Sequence, residues 1–324
     1  MTSPSIVNDN ARPVDIIGYD CGWGCADFGC EDGPERLPMA EIIAALRKNG
    51  FAPHWHGPLG IKHLGNHAAL TDKAQTLPLL TEALTRLHNS VHSSASQHHL
   101  PLVFGGDHSS AIGTWSGIVN ATQHHGTFGL IWIDAHMDAH TDKTSHEGKW
   151  GGWWHGQPVA ALTGQGLTAF TSLGNGANAP AKISPAHISI IGAHSFEPAE
   201  VKFTEKHGIR VFTLDEVQRR GFASVFAEAY ARATRGTQGW GMTIDLDAFH
   251  PDEAPGVGTH EDKGMRSAEV LPILKGIAHK AGFSGLEIAE FNPHRDRNSK
   301  TVNLIEKLVD HIFTSEGSMG HTVR

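Results

Sequence analysis

Residues 131–140 read IWIDAHMDAH, an apolar run that passes directly into Asp134, His136 and Asp138, one at every second position. In an extended segment residues i, i+2 and i+4 share a face, so these two carboxylates and one imidazole can converge. Other apolar runs close the same way: PLVF into GGDHSS with His108, GMTI into DLD with Asp245 and Asp247, and GLEIA into EFNP with Glu290. Taken singly, each cluster reads as capping or turn chemistry. Glu290 aside, Asp134, Asp138, Asp245 and Asp247 with His108 and His136 make four carboxylates and two imidazoles, and four carboxylates packed without cations would repel and raise one another's pKa. Two divalent ions would neutralise them, and a water between ions ~3.5 to 4 Å apart ionises near neutral pH. Oxygen-rich ligation suits Mn²⁺, and the two imidazoles admit Co²⁺ or Ni²⁺.

Such a cluster needs strands that end together. Continuous apolar runs at 14–19, 101–106, 128–134, 187–193, 240–246 and 285–291 have the pattern of strands buried on both faces. Helical periods lie at 39–50, ending at Gly50, and at 74–95, 215–234, 267–282 and 299–313. Strands alternating with helices predict an α/β fold with a mostly parallel sheet covered on both sides, in one domain spanning 1–324. Ligands bind beyond the carboxyl ends of such strands.

Composition narrows the partners. A net charge of -8 and no run of Lys or Arg argue against nucleic acid and anionic membrane. The start lacks a charged segment followed by an apolar one, and no apolar stretch approaches the ~18 residues of a membrane span, so a cytoplasmic protein is expected. Cys21, Cys25 and Cys30 fall within ten residues, an odd number that reads as reduced thiols. The chain has 24 histidines against 26 Lys and Arg combined, so position, not abundance, must identify ligands.

GGDHS at 105–109, DAHMD at 134–138, HGQPVA at 155–160, DLDAFHPDEAPGVGT at 245–259 and EFNP at 290–293 resemble the ureohydrolase family of arginases and agmatinases. GCEDGPERL at 29–37 resembles that family's Gly-Pro segment, so the likeness spans nearly the whole chain. The resemblance implies a three-layer αβα sandwich and a pair of divalent ions, usually manganese, in a deep cleft. It implies one ion on His108, Asp134, Asp138 and Asp245, and a second on His136, Asp134, Asp245 and Asp247, with Asp134 and Asp245 bridging. The guanidinium carbon, a poor target for neutral water, would be attacked by the metal-bridging hydroxide. Glu290 would hold the guanidinium and His155 would protonate the departing amine. Asp138 is counted with these two as catalytic.

Departures concern the substrate. The segment 139–154, AHTDKTSHEGKWGGWW, is longer than in typical arginases. Gly151 and Trp153 fall where those enzymes place the Ser and Asn that bind the amino-acid end. Each missing hydrogen-bond partner costs ~1 to 3 kcal/mol. Glu197 and Glu200 match acids near the substrate's amino group, and His250 replaces the usual Asp after DLD. Trp150, Trp153 and Trp154 can serve as core or as cation-π faces for alkylated nitrogen, with Trp153 and Trp154 the candidate contacts. The expected substrate is a small cationic guanidino compound other than arginine: guanidine, a guanidino acid, or an N-alkylated guanidine or biguanide. The alternatives are a true arginase and a non-catalytic subunit of a hetero-oligomer. A single-zinc deacetylase is disfavoured by the retained His108 and Asp138. The family implies a homo-trimer or hexamer, and a hetero-oligomer with a related chain stays open.

Overall fold

The computed structural model describes residues 11–26, 28–65, 73–144, 153–175 and 180–315. Through them runs one parallel sheet of eight strands: β1 (Arg12–Gly18), β2 (Phe51–Pro58), β3 (Leu100–Phe104), β4 (Phe128–Ile133), β5 (Ile188–Ala193), β6 (Arg210–Thr213), β7 (Gly239–Asp245) and β8 (Phe283–Ala289). Their spatial order is β2-β1-β3-β8-β7-β4-β5-β6. Every residue of β3, β4, β5 and β7 is buried, which is why those segments read as unbroken apolar runs.

Helices cover both faces, the αβα arrangement expected. Met39–Lys48, Phe222–Thr234, Ser267–Leu274 and Lys300–Phe313 pack on the face that carries Val14, Ile16 and Leu102. Lys73–Ser96 and Ser110–Thr122 pack on the face of Ile17, Val103 and Trp132. In Lys300–Phe313 the buried Leu304, Ile305, Leu308, Val309 and Ile312 form one stripe at helical spacing, each worth ~1.5 to 3 kcal/mol on burial.

The structure adds two strands to the expected set, and both are sheet edges. β2 is half exposed and contains Pro53 and Pro58, tolerable where one side needs no partner. β6 has four residues with only Phe212 buried. The helical stretch expected over 215–234 is two helices, Leu214–Arg220 and Phe222–Thr234, parted at Gly221, whose φ of 80° belongs to the left-handed side. Cys21, Cys25 and Cys30 are buried and form no disulfide. Among the described residues no helix is long and apolar enough to cross a membrane.

The central strands β3, β8, β7 and β4 are neighbours and end nearly level. Phe104 pairs with Ile288, Ala289 with Asp245, and Ile244 with Ile133. The residues that follow them therefore open onto one edge. Gly106 makes the turn after β3 possible, since a Cβ there would stand 2.0 Å from the Cys21 carbonyl oxygen.

Candidate metal centre and cleft

Four adjacent strand ends each deliver side chains to one point. His108, just past β3, places Nδ1 at 3.1 Å from Asp134 Oδ2, 3.1 Å from Asp138 Oδ2 and 3.1 Å from Asp245 Oδ2. His136 places its Nδ1 3.4 Å from Asp134 Oδ1 and 3.1 Å from Asp247 Oδ2. The ligand atoms of His108, Asp134 and Asp245 lie within 4.8 Å of one another, as do those of Asp134, His136 and Asp247. Asp134 belongs to both groups. Each half could hold a cation.

Two buried atoms test that fit. His108 Nδ1 and Asp247 Oδ2 make no hydrogen bond despite their close charged neighbours. On the far side of the ring, His108 Nε2 meets Thr243 Oγ1 at 2.9 Å, and that hydroxyl donates to Glu287 Oε2 at 2.8 Å. Thr114 donates to the other oxygen of the same carboxylate at 2.8 Å. Because the Thr243 hydrogen is committed to Glu287, its oxygen accepts from the Nε2 hydrogen. Nδ1 is then the nitrogen turned to the three carboxylates, free to give its lone pair to a cation held among them. Glu261 plays the same part for His136, meeting Nε2 at 3.1 Å. An imidazole steered by a partner behind it is the usual arrangement of a metal-bound histidine.

The carboxylates are held from the protein side as well. Trp132 Nε1 donates to Asp134 Oδ2 at 2.7 Å while its ring stacks on His108 at 4.3 Å. The His136 amide donates to Asp134 Oδ1, the Ala135 amide to Asp247 and the Asp247 amide to Asp245. Burial and the neighbouring Asp134 push Asp138 up to about 6. Burial and Asp247 push Asp245 well above the carboxylate range. Burial works against a charged His108, yet Asp134, Asp138 and Asp245 carry it well above the ordinary histidine value. Left to protons alone, the cluster draws them in to balance its charge, the service divalent ions perform better. Asp138 (φ 47°) and Glu290 (φ 67°) take the left-handed backbone region, a strain that concentrates at functional sites.

Glu290 closes the floor beside these ligands. Its Oε1 accepts from the His108 amide at 2.8 Å and meets His155 Nδ1 at 3.2 Å. Cys30 Sγ donates to its Oε2 at 3.4 Å. A Cβ at Gly258 would stand 2.0 Å from that oxygen, so only glycine lets the 258 turn pass so close. Burial lowers His155, but Cys25 and Glu290 prevail and hold it well above the ordinary histidine value.

His136, Asp138, His155, Asp245, Asp247 and Glu290 line a cleft of about 520 Å³, its mouth included, together with His140, Trp153, Glu197, Glu200 and Thr259. His140 Nε2 contacts Glu197 Oε2 at 3.0 Å and Glu200 Oε2 at 3.5 Å. Glu197 and Glu200 also form the capping box of helix Pro198–His207. Burial and the Glu197 hydrogen bond raise Glu200 to about 8.

The structure thus brings His108, Asp134, His136, Asp138, Asp245, Asp247, His155, Glu290, Glu197, Glu200 and Trp153 to one cleft. It corrects two expectations of substrate contact. Trp154 is buried away from the cleft, edge-on to Phe170 at 5.8 Å, with its indole N–H on Thr76 Oγ1. His250 turns to Asp252, whose amide donates to its Nδ1 at 3.2 Å, and does not line the cleft. Trp150 and Gly151 lie outside the described residues. His140, Glu261, Thr243 and Glu287 carry no expectation from sequence. His140 had a visible signal, because it continues the every-second-residue series of Asp134, His136 and Asp138.

Comparison with known proteins agrees with this geometry. The sequence model of the Arginase family matches residues 12–314. An arginase of Bacillus caldovelox is 33% identical over 303 residues, covering 93% of this chain and 98% of its own length. The crystal structure of arginase from Bacillus cereus superposes with a TM-score of 0.82 at 28% identity, covering 94% of this chain and 99% of that one. Formimidoylglutamase from Bacillus subtilis, at 21% identity and a TM-score of 0.72 over 94% of this chain and 87% of its own, shares the fold.

Proposed function

This chain belongs to the arginase family of hydrolases acting on guanidino and amidino C–N bonds, and on that premise we propose that it hydrolyses a guanidino compound other than arginine. The observation that carries the hydrolytic reading is His108 Nδ1, buried without a hydrogen bond and equidistant from carboxylates of β4 and β7.

His108, Asp134, Asp138 and Asp245 would hold one divalent ion, and His136, Asp134, Asp245 and Asp247 the other; manganese suits the set, with nickel or cobalt as alternatives. Bound there, the pair supplies a nucleophilic water at neutral pH and polarises the reacting carbon. Glu290, acceptor-only and fixed by the His108 amide, orients the substrate by accepting its guanidinium N–H groups. His155, held protonated by Cys25 and Glu290, delivers its proton to the leaving nitrogen. All six ligand positions and His155 are present, which argues against a non-catalytic subunit.

Substrate choice rests on the other end of the cleft. Glu197 and Glu200 are already engaged by His140, so the α-amino group of arginine would have to displace an imidazole before meeting an acid. Trp153 supplies an apolar face at the cleft. Guanidine itself, a guanidino acid, or an N-alkylated guanidine or biguanide avoids that exchange. The retained acids and the arginases among its relatives favour arginine hydrolysis as the second reading. We further place the enzyme in the cytoplasm as a homo-trimer or hexamer, with a hetero-oligomer containing a related chain as the alternative.

The test is urea and amine release across a panel of guanidino compounds with Mn²⁺, Co²⁺ and Ni²⁺ supplied separately. A non-arginine compound should lead in kcat/KM. Arginine leading by a wide margin overturns the substrate choice, and hydrolysis of none overturns the enzyme.

A further inference from the structure

Far from the cleft, three imidazoles surround a single carboxylate. Asp15 sits midway along β1, its side chain 6% exposed. His54 is its register partner on β2, and His56 stands two residues further on the same face. His99 immediately precedes β3 on the other side of β1. Asp15 Oδ1 lies 2.9 Å from His56 Nε2 and 3.5 Å from His54 Nδ1, and Oδ2 lies 2.9 Å from His99 Nδ1. The ligand atoms of Asp15, His54 and His99 all fall within 4.8 Å of one another.

We propose that Asp15, His54 and His99 form a separate divalent-metal site for a borderline ion such as Zn²⁺, with His56 holding the Asp15 carboxylate from outside the ligand set. Two imidazoles and one carboxylate with water in the fourth position are a set that zinc takes in four-coordinate sites. Nitrogen-rich ligation distinguishes it from the carboxylate-rich cleft, which suits a harder ion. Its position is also distinct, because His99 marks the amino end of β3 whereas the cleft lies past the carboxyl ends. The donors come from three neighbouring segments of the sheet, so a bound ion would clip the half-exposed edge strand β2 to β1 and to the start of β3. The role follows as structural: nothing in the site approaches the reacting groups.

The experiment is zinc binding in competition with a chromophoric chelator, using full-length protein whose cleft has been loaded with Mn²⁺. The parent should hold one zinc ion more than His54→Ala/His99→Ala, and zinc should raise the thermal midpoint of the parent alone. His54→Ala by itself, at a position 57% exposed where folding is not at risk, should weaken that ion by about 100-fold, at least the upper cost of losing an outer-shell partner. Turnover with Mn²⁺ should be unchanged in both variants. Equal zinc stoichiometry and affinity in parent and variants would overturn the site and leave the three contacts as hydrogen bonds. That outcome leaves the cleft reading untouched.

Discussion

His108 and Thr243 meet at 2.9 Å, and the direction of that hydrogen bond is fixed because Thr243 spends its own hydrogen on Glu287. The buried chain Thr114, Glu287, Thr243, His108 therefore points Nδ1 of the histidine at the carboxylates of the cleft. Thr243→Val keeps the volume and removes the acceptor. It should weaken metal binding by about 10- to 100-fold, read as the Mn²⁺ concentration needed for half-maximal activity. Thr243→Ser should restore it, and an unchanged Mn²⁺ requirement in the valine variant would show that the relay does not orient the ring.

His155→Ala should lower kcat by about 10²- to 10⁴-fold with both cleft ions retained. Glu290 and Cys25 hold the His155 proton to higher pH than an ordinary histidine keeps it. Wild-type kcat should accordingly show an alkaline limb set by His155, and the variant should lose that limb. Metal content by mass spectrometry separates this role from ligation: if ions depart with the imidazole, the proton-donor assignment fails.

His140 guards Glu197 and Glu200. His140→Ala should raise kcat/KM for guanidines bearing a terminal amine, relative to neutral alkylguanidines, by about tenfold, the equivalent of one hydrogen bond to a charged group at ~1.4 kcal/mol. Paired rate measurements on two substrates of equal length decide it. A preference that does not move removes His140 from the choice of substrate.

Lys182 is 1% exposed and donates to Asn120 Oδ1 at 3.3 Å and to the Asn175 side-chain oxygen at 2.6 Å, with no ion pair among the described residues. Burial lowers it from 10.5 to about 8. Between those values the unfolded chain binds more protons than the folded one, so this group adds stability as pH rises and its full penalty applies below pH 8. Lys182→Met should be more stable than wild type at pH 7, with the gap closing toward pH 10. Urea midpoints of both proteins at several pH values check the slope, and a gap independent of pH contradicts it.

The sequence makes the central sheet legible because its inner strands are buried on both faces and read as apolar runs. The edge strands escape for the same reason: β2 mixes His54, His56 and two prolines into a half-exposed strand, and β6 is too short to show a period. Helix Ser110–Thr122 is hidden differently, since it is buried nearly all round from Ser110 to Val119 and has no polar face to set a 3.6-residue rhythm. At the site, residues at strand ends announce themselves by alternation, but their supports do not. Thr243 and Glu287 lie inside apolar strands, and only the register of β7 against β8, which pairs them, makes them partners. Trp154 shows the converse limit, because a tryptophan beside a site histidine reads alike whether it faces substrate or core.

The central claim is a two-ion centre shared by β3, β4 and β7, and anomalous diffraction from crystals of the Mn²⁺-loaded protein tests it most directly. Two peaks are expected at the cleft floor, both touching Asp134 and Asp245, one also touching His108 and Asp138 and the other His136 and Asp247, with both peaks absent from Asp134→Ala. A single peak, or none among these six side chains in active wild-type protein, would contradict the claim.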